Sequence, residues 1–63
     1  MMIELNKMTL AEIVQDNGGS ITAEDLTAKL IAKGADKQSA ADAVAEFTHC
    51  RLVTFDGTTI SFQ

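Results

Sequence analysis

The strongest constraint on the fold lies near the end of the sequence, where Asp56-Gly57 separates two short runs of alternating residues. The runs, Leu52–Phe55 and Thr58–Phe62, place apolar and polar side chains in turn, as a half-buried strand does. Asp-Gly is typical of a two-residue hairpin loop, because a type I′ turn needs a positive φ at both central positions. The sequence therefore predicts a β-hairpin with its turn at Asp56-Gly57.

A two-residue loop also predicts the register of this hairpin. The expected pairs are Phe55 with Thr58, Val53 with Ile60, and Arg51 with Phe62. Residues that pair across two strands share one face, so the expected core face consists of Val53, Phe55, Ile60 and Phe62. Only Leu52 departs from the alternation.

The first helix is delimited by its capping residues. Thr9 and Glu12 have the spacing of a capping box, and Gly18 suits a left-handed residue after a helix end, so we expect a helix over about 9–17. Its predicted buried face consists of Leu10, Ile13 and Val14. The sequence leaves open whether the apolar residues before it, Ile3, Leu5 and Met8, extend this helix or form a separate strand.

Two further helices are predicted in the same way. Thr22 is expected to cap a helix that runs to about Lys33, and Asp36 a helix that runs to about His49. Their predicted buried faces consist of Leu26, Leu30 and Ile31, and of Ala40, Val44 and Phe47, respectively. The short connection at Gly34 predicts a sharp angle between them, as in a helix-turn-helix pair.

Composition predicts one domain over 1–63 with an acidic surface. Five Lys and Arg against nine Asp and Glu give a net charge of −4, which disfavours nucleic acid, since basic residues supply most nonspecific affinity for phosphate. A single cysteine excludes an intrachain disulfide and indicates a reducing compartment. No apolar run reaches the roughly 18 residues of a membrane span, and no secretory signal is evident, so we expect a cytoplasmic protein.

The only adjacent pair with chemical reactivity is His49-Cys50. A nucleophile needs a base and an orienting group, and a zinc site needs three or four ligands. This sequence has one histidine and one cysteine. We therefore expect no enzyme, no metal and no cofactor, and a structural role for this pair.

The order helix, extended step at Ile21, helix, tight turn, helix and hairpin resembles the winged-helix branch of the helix-turn-helix proteins. The residues that carry the resemblance are Thr9–Gly18, Ile21–Gly34, Asp36–His49 and Leu52–Phe62. The resemblance implies an α+β, mainly α fold: a three-helix winged helix-turn-helix domain with a C-terminal two-stranded β-hairpin. It also implies that the third helix enters the major groove of DNA and that the hairpin is the wing.

The first functional hypothesis is a small transcriptional regulator that reads DNA through the third helix. Glutamine can bond adenine, and lysine can reach guanine or phosphate. The candidate DNA-binding residues are Lys29, Lys33, Lys37, Gln38, Ala41 and Thr48. Because so few phosphate contacts bind weakly, such a protein is expected to act as a homodimer.

The second hypothesis is an acidic protein-interaction module on the same fold, because some winged-helix proteins bind proteins instead of DNA. It would serve as an accessory subunit, or as a bacterial or phage protein that binds a host complex. The candidate residues are Ala41, Asp42, Ala45, Glu46 and Asp56. The architecture favours the DNA-binding hypothesis, whereas the negative net charge favours the protein-interaction hypothesis.

Overall fold

Three helices and three strands follow one another in residues 5–63, the part of the chain that the computed structural model describes. The helices are α1 (Lys7–Asp16), α2 (Ala23–Ala32) and α3 (Lys37–Phe47), and the strands are β1 (Ser20–Thr22), β2 (Val53–Phe55) and β3 (Thr59–Phe62). The fold is α+β and mainly α, as expected. Its order, α1-β1-α2-α3-β2-β3, is compatible with a winged-helix arrangement. None of the helices in this part of the chain is long and apolar enough to cross a membrane.

The first helix begins earlier than the capping box predicts. The N-cap is Asn6, whose side-chain oxygen accepts a hydrogen bond of 3.0 Å from the backbone N–H of Thr9. The prediction of Thr9 as the cap is therefore wrong. Thr9 lies inside the first turn and donates its hydroxyl to the same Asn6 oxygen. Asparagine is at least as good an N-cap as threonine, and the earlier start adds the backbone bond from Leu10 to Asn6.

The sequence left open whether the apolar residues before Thr9 extend the first helix or form a separate strand, and the observed start of α1 answers part of this question. Met8 belongs to α1, and Leu5 precedes the helix. Ile3 lies outside the described residues.

The caps of the other two helices are confirmed. The Thr22 hydroxyl accepts from the N–H of Asp25, and the Asp36 carboxylate accepts from the N–H groups of Gln38 and Ser39. Between α2 and α3, Gly34 has a φ of 109°, a conformation that side chains other than glycine rarely adopt. The third helix ends at Phe47, two residues before the expected end.

The sheet has three strands, so the expected two-stranded hairpin is incomplete. The predicted extended step at Ile21 is β1, and it pairs antiparallel with β3, which lies between β1 and β2. Ile21 lies opposite Ile60, and both are buried. Buried backbone N–H and C=O groups need hydrogen-bond partners, and the middle strand, β3, supplies such partners to both β1 and β2.

The predicted register of the hairpin is wrong by two residues. Phe55 pairs with Ile60, and Val53 pairs with Phe62. Among the described residues only glycines have a positive φ, so Asp56 does not meet the demand of a type I′ turn. Instead, the Asp56 carboxylate accepts hydrogen bonds from the N–H groups of Thr58 and Thr59, and the loop widens. A shift of two residues preserves the alternation of faces.

The core lies between the three helices and one face of the sheet. Its buried members are Leu10, Ile13, Val14, Ile21, Leu26, Leu30, Ala40, Val44, Phe47, Val53 and Ile60. Most of the predicted core is confirmed, and Phe62 is half-buried against it. Ile31 and Phe55 are exceptions, with 41% and 39% of their surface exposed. At 100° per residue, Ile31 lies roughly 100–140° round α2 from Leu30 and Leu26, outside the buried stripe.

The N-cap of α1 gives a test of the fold by mutation. Asn6→Ala removes the side-chain acceptor and is expected to cost about 1 kcal/mol, which lowers Tm by about 4–8 °C in a domain of this size. Thr9→Ala keeps the backbone donor and should cost less. Thermal denaturation, monitored by circular dichroism, measures the Tm of both variants. A larger loss for Thr9→Ala than for Asn6→Ala would restore Thr9 as the cap.

Candidate interaction surface

The structure places the outward residues of α3 as the helical pattern predicts. The exposed side chains are Lys37, Gln38, Ser39, Ala41, Asp42, Ala45 and Glu46. Thr48 follows the helix and is half-buried, and its hydroxyl donates to the backbone carbonyl of Ala45 at 2.6 Å. The outer face of α3 is therefore accessible, but the one hydroxyl at its C-terminal end already has a partner.

The candidate DNA-binding residues do not form one surface. Lys29 and Lys33 border a depression at the end of α1, together with Asp16. Ala41 and Thr48 border a different depression, next to Thr27. At 100° per residue, the two lysines lie roughly 120–160° round α2 from Thr27. A DNA backbone that follows α3 would thus meet these lysines only at a distance.

The predicted base-reading residue has an acidic neighbour. The side-chain amide of Gln38 donates to the carboxylate of Asp42 at 3.1 Å, one turn further along α3. Such pairs at i and i+4 stabilise the helix by a few tenths of a kcal/mol. The contact occupies one amide donor of Gln38 and holds a negative charge beside it.

An apolar depression of about 390 Å³ lies between α2, α3 and the end of β2. Its lining is mostly small or apolar: Ala23, Glu24, Thr27, Ala41, Val44, Ala45, Thr48, His49 and Phe55. Neither lysine nor arginine contributes to this lining in the described part of the chain. We call this the Phe55 surface, because Phe55 is its one large apolar side chain that is exposed.

Phe55 is the site residue that the sequence places wrongly, in the core. Its pairing with Ile60 keeps it on the same side of the sheet as the core residues. The residues that face it across the depression include Ala23, Ala41 and Ala45, which are too small to cover a phenyl ring. The alanines were visible in the sequence, but their position opposite Phe55 depends on the shifted register.

The two candidate residue sets differ in how the fold arranges them. Ala41 and Ala45 lie together on the Phe55 surface, and Asp42 is next to them on α3. Glu46 borders a separate depression, which also contains Cys50. Asp56 follows Phe55 at the tip of the hairpin. Four of the five protein-interaction candidates therefore lie on or beside one surface.

Asp56 has a structural role at this tip. Its carboxylate accepts hydrogen bonds of 2.7 Å from the N–H of Thr59 and 2.9 Å from the N–H of Thr58. These bonds favour the ionised carboxylate and hold the pKa of Asp56 below its ordinary value. The acid at the tip thus fixes the loop that sets the register of Phe55.

The adjacent pair His49 and Cys50 follows the end of α3, and both residues border one depression. His49 is exposed, and Cys50 is a half-buried free thiol. Across the described residues, no group of three or more His, Cys, Asp or Glu side chains is arranged to hold a metal ion.

Neither a known protein family, nor a curated protein, nor a solved structure matches this chain.

The hydrogen bonds to Asp56 predict a pH-dependent contribution to stability. Because the folded pKa is lowered, the contribution is present above the unfolded pKa and is lost as pH falls through the folded pKa. Asp56→Asn removes the charge. We expect the Tm difference between wild type and variant to be largest above about pH 5 and to shrink towards about pH 2. A difference that stays constant across this range contradicts the assignment.

Proposed function

We propose that this chain is a protein-interaction domain of the winged-helix type, which binds a partner at the Phe55 surface in a cytoplasmic setting. The partner is an amphipathic helix that carries a large apolar side chain flanked by basic residues. The observation that carries the proposal is an exposed phenylalanine beside an alanine-rich, open depression that neither lysine nor arginine lines.

The apolar character of the surface favours a protein partner. Aromatic side chains at the centre of an interface contribute much of the binding energy, and small neighbours let the partner approach closely. Phe55 supplies the aromatic group, while Ala41 and Ala45 are one turn apart on the accessible face of α3. A helix laid between α3 and the hairpin would cover all three side chains.

Charge favours a basic partner. Glu24 lines the depression, and the exposed Asp42 and Asp56 directly follow two of its lining residues, Ala41 and Phe55, in the chain. The whole chain has a net charge of −4. Such a field increases the rate of encounter with a basic segment and disfavours an acidic one. It also disfavours a DNA phosphate backbone.

DNA binding through the start of α3 is the second candidate function. It is favoured by the order of the elements and by Lys37, which is exposed one turn before Ala41 on the same face of the helix. Gln38 follows it, although its amide is bonded to Asp42. One lysine with such neighbours supports few phosphate contacts, and affinity falls steeply with salt in proportion to their number.

Selection from a displayed library of amphipathic helical peptides tests the protein-interaction proposal. The enriched peptides should carry Lys or Arg beside an apolar stripe. Phe55→Ser should weaken the binding of these peptides at least about tenfold, as expected for loss of an aromatic anchor. Isothermal titration calorimetry measures the affinity.

Leu52→Ser is the matched control, because Leu52 is also an exposed apolar side chain but lies outside the Phe55 surface. It should change the affinity less than about twofold. Acidic peptides among the enriched set, or equal binding by Phe55→Ser, would contradict the proposal.

The DNA candidate is tested with labelled duplex pools at low salt. We expect no binding below about 100 μM protein, the weak end of nonspecific affinities. Binding that Lys37→Ala weakens, with no change for Phe55→Ser, would instead assign the start of α3 to DNA and reject the Phe55 surface as the functional site.

A further inference from the structure

The two most exposed large apolar side chains of residues 5–63 lie next to each other on the face of α1 that points away from the core. Met8 is 72% exposed and Leu52 is 56% exposed. Both border a depression of about 360 Å³, together with Lys7, Ala11, Glu12 and Gln15. Isolated exposed apolar residues are ordinary, but two that adjoin with an alanine form a patch that favours association.

The residues of this patch have the spacing of a coiled-coil seam. Met8, Ala11 and Gln15 follow one another at intervals of three and four, the a, d and a positions of a heptad. At 100° per residue, Lys7 and Glu12 lie about 70° to either side of the line between Met8 and Ala11. They therefore take the flanking g and e positions, with opposite charges.

This arrangement is complementary to itself. When two copies pack their α1 helices in parallel about a two-fold axis, each g position faces the e position five residues further along the partner helix. Lys7 of one copy then faces Glu12 of the other, and the reverse contact follows by symmetry. Met8 lies against Met8, Ala11 lets the helices approach closely, and Leu52 adds apolar area at the side.

We propose that the chain forms a weak homodimer through the outer face of α1, with parallel helices and reciprocal Lys7–Glu12 contacts. The patch bears one positive and one negative side chain, so two copies of an acidic protein meet there without direct repulsion. This interface is separate from the Phe55 surface and does not depend on the function proposed for it.

The size of the patch sets the expected affinity. Stable interfaces involve about 20–30 residues on each side, whereas six residues border this depression. We expect a dissociation constant on the order of 0.1 mM, well within the range of weak association. The chain should therefore be monomeric at a few micromolar and largely dimeric near 1 mM.

Sedimentation equilibrium on the 63-residue chain, from about 10 μM to 1 mM, measures this association. Met8→Asp replaces an exposed side chain in the first turn of α1, where an acid is favourable to the helix, so the variant should fold. It should weaken dimerisation at least about tenfold. A wild-type chain that stays monomeric at 1 mM, or a dimer that Met8→Asp leaves unchanged, overturns the proposal.

Charge exchange tests the parallel geometry. Lys7→Glu alone and Glu12→Lys alone each place like charges across the axis and should weaken self-association. The double variant Lys7→Glu, Glu12→Lys restores opposite charges and should recover the wild-type constant within about twofold. An equimolar mixture of the two single variants should form a mixed dimer.

Lys37→Glu is the matched control for Lys7→Glu, because it makes the same change in net charge outside the patch. It should dimerise as the wild type does. Failure of the double variant to recover, with both single variants weakened, rejects the parallel pairing. Equal weakening by Lys37→Glu shows an effect of net charge alone and also rejects the proposal.

Discussion

The rest of the structure depends on the pairing of β3 with strands on both of its sides. Ile60 lies opposite Ile21 on one side and Phe55 on the other, and it is fully buried. This strand joins the connection between α1 and α2 to the C-terminal hairpin, across nearly forty residues of chain. A two-stranded hairpin is not stable in water alone, and these short helices need tertiary packing. The middle strand brings both into one core.

The Phe55 surface follows from that pairing. Asp56 bonds the N–H groups of Thr58 and Thr59, which widens the hairpin loop and places Phe55 beside the alanines of α2 and α3. A core position would require larger neighbours. The same acid that bonds the loop adds negative charge to its tip, next to Phe55 in the sequence.

Most features that local chemistry determines were predicted from the sequence, whereas the third strand and the Phe55 surface depend on residues that are distant in the chain. Thr22 and Asp36 were identified as caps because capping needs only neighbours within four residues. Thr9 failed because Asn6, three residues before it, caps the helix one turn earlier by accepting the N–H of Thr9 itself. The pairing of Ile21 with Ile60 has no local signal, and neither does the position of Ala41 opposite Phe55. The exposed face of α3 was predicted, but the surface it forms with the hairpin was not.

The Phe55 ring lies at the surface, at the edge of the depression that it lines together with alanines of α2 and α3. Solution NMR with a soluble paramagnetic agent measures this directly. We expect the ring protons of Phe55 to broaden nearly as much as the methyl protons of Leu52, and to show NOEs to the methyl groups of Ala41 and Ala45. Phe47, which is buried, should be protected. A Phe55 ring as protected as that of Phe47, with NOEs to Leu26 and Leu30, would contradict the account.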